Sequence, residues 1–194
     1  MTALLDVPLI RQRPELPTGC EAVALTMALH YYGVNVDKET VVRQMPRDST
    51  PLIENPDGSV RSWGDPEVGF VGDPYGDGVT INPKPLKQVL DHYRGGGTAL
   101  YGKDFKVIEQ AVGEGKPVLV WFTISHEMPV MRYWKTPAGK MFLPRDRCTV
   151  LSSPAQMMIS SLSTTANLLS GAEKMFGWKK ESSFGFTMQW DAEH

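Results

Sequence analysis

The run Gln12-Arg-Pro-Glu-Leu-Pro-Thr-Gly-Cys-Glu-Ala22 holds the residue types best placed for nucleophilic chemistry in this chain. Its spacing predicts Cys20 in the first turn of a helix, directly after Gly19. The unpaired amides and the dipole at a helix N-terminus stabilise a thiolate, the reactive form of cysteine. Gly19 lets a substrate carbonyl approach the backbone closely. The Cys20 amide and a side-chain amide such as that of Gln12 can then hold the charge that develops on the attacked carbonyl oxygen. The same spacing also fits a cysteine buried as a small apolar residue at a helix start. Spacing alone leaves both readings open.

A thiol nucleophile needs a proton acceptor, and the four histidines are poorly spaced for it. His30 lies on the helix that Cys20 begins, about 15 Å away by helix rise. His92 falls in a later predicted helix. His126, in Ser125-His-Glu-Met-Pro129, follows an apolar strand, and with Glu127 it is a candidate base in a rearranged site. His194 is terminal. Each of these also reads as an ordinary surface or half-buried histidine. The cysteines and histidines lack zinc spacing. Asp73-Pro-Tyr-Gly-Asp77-Gly78 lacks the alternating ligands and final glutamate of a calcium loop. Gly95-Gly96-Gly97 is not followed by Lys-Ser/Thr, so it is no phosphate loop. Neither metal nor cofactor is expected.

These residues must be positioned by the elements around them. With 194 residues, 41% hydrophobic and 22% charged, the chain can bury one real core. A net charge of −2 leaves no basic surplus for nucleic-acid phosphates, so no nucleic-acid partner is expected. The apolar run Pro117–Ile124 is too short to cross a bilayer. Ala3-Leu4-Leu5 is followed at once by Asp6 and Pro8, which does not read as a secretory signal, and the compartment stays open. Cys20 and Cys148 allow one disulfide but nothing requires it.

Thr18 with Glu21 three residues on reads as a capping box. Ala22, Leu25, Leu29 and Tyr32 then share a helix face, and Gly33 stops the helix. Further helices are predicted over 38–45, capped by Asp37; from Asn82-Pro83 to Gly95; and over 104–112. Strands are predicted at 98–101 and 117–124, with a hairpin of 130–135 and 140–151. Helices precede strands, so the class is α+β, with the Cys20 helix packed on a sheet built from 117–124, 130–135 and 140–151. Between residues 46 and 81 runs a long Gly-, Pro- and Asp-rich stretch carrying Trp63, Phe70 and Tyr75. Its 56–78 portion either borders a cleft or packs over the core.

The runs Leu5-Asp-Val-Pro-Leu-Ile10, Pro14-Glu-Leu-Pro-Thr-Gly-Cys-Glu-Ala22, Leu25-Thr-Met27 and Tyr31-Tyr-Gly33 closely resemble a bacterial group of papain-like cysteine peptidases. These are the stand-alone relatives of the bacteriocin-processing peptidases that cut leaders after double glycine. The resemblance continues through Gly64-Asp-Pro-Glu-Val-Gly-Phe-Val-Gly72, Pro117-Val-Leu-Val-Trp121 and Cys148-Thr-Val-Leu151. It implies a papain-like peptidase domain over residues 1–151 and thiol-dependent hydrolysis of a peptide or protein substrate. Cys20 would be the nucleophile and Gln12 the oxyanion-hole amide. It also implies export to the cell envelope, at odds with the start of this sequence.

The resemblance further implies a histidine base, followed by an Asn-Asp-Pro that supplies the orienting group. Where Glu-His-Cys-Thr-Val-Leu is expected, this chain has Asp146-Arg147-Cys148-Thr149-Val150-Leu151. Residues alternate in facing along a strand, so Arg147 takes the side expected of the histidine and Cys148 faces away. Arginine stays protonated and cannot act as a base, although its charge can lower the pKa of a nearby thiol. Two readings follow: a peptidase impaired at Arg147, or a non-catalytic relative that binds peptides.

Residues 152–194 depart further, and a shift of reading frame accounts for the departure. When each codon takes the last base of one residue and the first two of the next, Met157-Met158 and Met158-Ile159 both become aspartate. With permitted synonyms the run Gln156–Thr165 can read Asp-Asp-Asp-Ile-Ile-Val-Ile-Asn-Asp. Met188–Ala192 becomes Ala, Met or Val, Gly, then Arg or Cys, similar to the Met-Gly-Arg of the family's last strand. The alternative is a divergent natural tail. On the slipped-frame reading the segment is poorly specified, a loop plus a helix near 167–175.

Overall fold

The computed structural model describes residues 5–101, 103–121, 133–139, 141–142 and 186–190. The first helix, α1, spans Cys20–Tyr31, an alanine-rich stretch with neither Gly nor Pro inside it. It is buried on every side from Glu21 to Leu29, so the expected single apolar face is too narrow a description. The reason is its central place. The helices α2 (Lys38–Gln44) and α3 (Pro83–Tyr93) pack on it, and strand β6 (Val118–Val120) covers it from the sheet side. Gly33 ends the turn after α1 at φ +78°, a backbone region that favours glycine.

The capping box does not form. The N-cap of α1 is Gly19, with no side-chain cap. Thr18 and Glu21 are drawn away by partners far along the chain: Asp73 and Gly76 for Thr18, Thr80 and Ile81 for Glu21. The cap of α2 is the one the sequence predicts, Asp37, which accepts from the Thr40 amide. In α4 (Phe105–Gly113) the cap is Asp104, which accepts from the Lys106 amide.

The short strands β1 (Arg47–Asp48) and β4 (Phe70–Val71) pair in parallel. A four-stranded sheet runs β2 (Ile53–Glu54), β3 (Val60–Ser62), β7 (Trp134–Lys135), β8 (Met141–Phe142). A three-stranded sheet runs β5 (Gly97–Tyr101), β9 (Phe186–Trp190), β6, with β9 antiparallel to both neighbours.

This corrects the single sheet expected from 117–124, 130–135 and 140–151. The β7–β8 hairpin does form, but among the described residues it leaves β6 and joins β3, where Ser62 pairs with Lys135. Trp134 decides this: it is buried beside Trp63 and Val71, and its indole N–H donates to the Gly64 carbonyl at 2.9 Å. The strand β9 falls in the segment read as poorly specified, yet it is the middle strand of its sheet.

The main core joins Leu16, the apolar residues of α1, Val41, Val42, Phe70, Ile81, Leu86, Leu90 and Leu119. It places the N-terminus of α1 beneath the 72–81 loop.

Candidate active site

Cys20 opens α1 and is partly exposed. The loop before it is tied down from two sides. The Lys38 ammonium donates to the Arg11 carbonyl at 2.6 Å and to the Glu15 carboxylate at 2.7 Å. That hydrogen bond is the main reason the Glu15 carboxyl lies below its usual range. The Gln12 side-chain amide donates to the Leu16 carbonyl at 2.7 Å and the Pro17 carbonyl at 3.1 Å. Gln12 is thus folded onto the backbone that delivers Cys20, with both amide hydrogens engaged there.

On the other side lies the loop 72–78. The Thr18 amide donates to the Pro74 carbonyl at 3.3 Å, and the Thr18 hydroxyl reaches the Asp73 and Gly76 carbonyls at 2.9 and 3.1 Å. A methyl group at Gly19 would meet Leu16 Cβ at 3.1 Å and Pro74 Cβ at 3.4 Å, so glycine lets the loop close over this approach. The Gly-rich stretch packs over the core. Trp63 and Phe70 are buried in the core, while Pro74 borders the residue before the thiol.

A residue read only as a cap proves central. Glu21 is 2% exposed, and its carboxylate accepts from the Cys20 thiol at 3.2 Å, from the Thr80 hydroxyl and from the Ile81 amide at 3.4 Å. Burial pushes the Glu21 carboxyl above its usual range, against the opposing pull of those bonds. The Ile81 carbonyl in turn accepts from the Trp121 indole at 3.0 Å, which ties the end of β6 to the same loop. One sequence signal was available: Glu21 is the sole charged residue in the run from Cys20 to Leu29.

The structure keeps two histidines away from Cys20. His30 lies at the far end of α1, its Nε2 2.6 Å from the Val36 carbonyl oxygen. His92 is exposed on α3, edge-on to Tyr93. His126, Glu127, Arg147, Cys148 and His194 lie outside the described residues, as do residues 152–185 and the predicted helix near 167–175. Among the described residues no group of three or more His, Cys, Asp or Glu gathers, and no helix is long and apolar enough to cross a membrane.

Residues 4–142 match the Peptidase_C39 like family. The uncharacterized protein YvpB of Bacillus subtilis (strain 168) is 38% identical over 141 residues, which is 70% of this chain and 54% of that protein. The chain thus spans about half the length of that curated relative. A crystal structure of a Bacillus anthracis protein assigned as a C39-like peptidase superposes with a TM-score of 0.63 at 22% identity, covering 99% of this chain and 98% of that one. At that identity the likeness establishes the fold.

Proposed function

The chain belongs to the Peptidase_C39 like family, and on that premise we propose that it is built for thiol-dependent hydrolysis of peptide bonds. The observation that carries the reading is the placement of Cys20. It is a partly exposed thiol at the N-terminus of a buried helix, flanked by a tethered loop and the 72–78 loop. In this reading the Cys20 sulfur attacks the scissile carbonyl carbon, the C–N bond breaks with the amine leaving on a proton from water, and the acyl-enzyme that remains is hydrolysed by water. The Cys20 amide and the Gln12 amide hold the oxyanion, with Gln12 giving up its longer bond to Pro17 to do so. Arg147 stands at the position the resemblance gives to histidine. Its charge favours a thiolate, but it neither takes a proton nor gives one to the leaving amine. Loss of a base of this kind typically costs several orders of magnitude in turnover.

Arg147 also favours a second reading, a pseudo-peptidase that keeps the cleft and binds peptides without cutting them. One experiment separates the two. The full chain and its Arg147→His variant are incubated with a mixed peptide library, and cleavage is read by mass spectrometry. The peptidase reading expects cleavage to rise above background in Arg147→His and to vanish when Cys20→Ala is added. Cleavage that stays at background favours the binding protein.

We propose as well that residues 152–194 are read out of the ancestral frame. Support comes from the forced codons: the shifted frame turns Met157-Met158 and Met158-Ile159 into aspartate, Met188-Gln189 into alanine and Trp190-Asp191 into glycine. Sequencing the coding DNA and transcript across codons 140–194 tests this. A corrected frame would restore Asn-Asp to the segment, and an unchanged sequence would mean a divergent natural tail.

A further inference from the structure

We propose that Glu21 is the proton acceptor for the Cys20 thiol, so that a buried carboxylate on the same helix turn generates the nucleophile. The proposal rests on the reading of Cys20 as the nucleophile. The thiol and the Glu21 carboxylate are in hydrogen-bond contact at 3.2 Å, and no other element has to move for the proton to pass. The proton leaves Sγ for Oε2, the electron pair of the S–H bond stays on sulfur, and the carboxylate becomes a neutral carboxylic acid. The pair keeps one negative charge throughout.

What changes is where that charge sits. Before transfer it lies on a carboxylate that is 2% exposed. After transfer it lies on a partly exposed sulfur at the N-terminus of α1, facing the helix dipole. Moving charge from the drier site to the wetter one is favourable by desolvation alone. The groups reaching Glu21 from the packed 80–81 segment are the neutral Thr80 hydroxyl and Ile81 amide, so of these partners only the thiol titrates. The Thr80 hydroxyl also lies 3.4 Å from the Ile81 carbonyl oxygen. With the proton on Oε2, the acid donates back to the sulfur while Oε1 goes on accepting from the Thr80 hydroxyl and the Ile81 amide, so the neutral acid is accommodated too. Burial, which holds the Glu21 carboxyl above its usual range, acts in the same direction.

The test is the rate of Cys20 alkylation by iodoacetamide in the full chain, from about pH 5 to about pH 10, read on the Cys20 peptide by mass spectrometry. The expected result is an inflection for the wild-type chain at least about one unit below the ordinary thiol value of ~8.5. Glu21→Gln keeps an acceptor oxygen for Thr80 and Ile81 but cannot take the proton. It is expected to return the inflection to the ordinary range and to slow alkylation at neutral pH by about tenfold or more. If Glu21→Gln reacts as fast as wild type or faster, the proposal is overturned.

Circular dichroism and a thermal melt establish that the variant is folded. If it is not, Thr80→Val serves. Removing a donor to the carboxylate makes Glu21 the better base, so Cys20 should react faster at neutral pH, and an unchanged or slower rate overturns the proposal. The controls also separate the two readings. An ordinary inflection in the wild-type chain removes support from the nucleophile itself. An acidified thiol that persists in Glu21→Gln removes only Glu21.

Discussion

Gly78 shows how tightly single residues set the approach to Cys20. A methyl group there would lie 2.6 Å from Phe70 Cε1 and 2.7 Å from the Thr18 hydroxyl oxygen. Phe70 is fully buried, so it cannot yield cheaply. Gly78→Ala should therefore lower stability by about 1–3 kcal/mol, the usual cost of overpacking, measured as a shift in the urea midpoint. It should also loosen the 72–78 loop from Thr18 and alter the alkylation rate of Cys20. At this scale the place of Cys20 at a helix start was legible, because a thiol after glycine ahead of an apolar run is a local pattern. Glu21 was legible only as a cap. Its true partners, Thr80 and Ile81, lie about sixty residues on in the chain, and a local pattern cannot name a partner brought by folding.

At the scale of elements, α1 is the piece on which the others converge. Leu25 is 0% exposed within it, and Leu25→Ala should cost about 2–5 kcal/mol in chemical denaturation. The turn after β1 supplies a pH-dependent contribution. The Asp48 carboxylate accepts from the Thr50 amide at 2.9 Å, the Thr50 hydroxyl and the Asp65 amide at 2.9 Å. Burial raises its pKa, but these bonds outweigh burial and hold it below the ordinary value. The folded pKa therefore lies below the unfolded value of about 3.9. The stabilisation is present at neutral pH and is lost as the pH falls through the folded pKa. Asp48→Asn should accordingly unfold more easily than wild type at neutral pH, with the gap in urea midpoint closing below about pH 4. Helix positions, the cap Asp37 and the β7–β8 hairpin were legible, since caps, periodicity and turn residues act within a few positions.

For the whole molecule, the decisive feature is β9. It lies between β5 and β6, which do not pair with each other. Ending the chain before Phe186 should leave both strands without a partner on that edge. The expected outcome is loss of a cooperative thermal transition and aggregation, read by calorimetry and light scattering. A truncated chain that melts like the full one would show that β9 is dispensable. Phe186-Thr-Met-Gln-Trp190 does alternate apolar and polar residues, so a strand signal was present. That signal stands isolated, because the surrounding sequence carries no other pattern.

The sequence by itself determined the helices, the Asp37 cap, the cysteine at a helix N-terminus and, through its motifs, the α+β class. All of these depend on interactions between near neighbours. The tertiary structure alone decided which strands share a sheet, that α1 is buried on every side, that Pro74 closes against Gly19 and that Thr80 and Ile81 hold the Glu21 carboxylate. Those pairings join residues tens of positions apart, and only the packing of the shared core brings them within bonding distance.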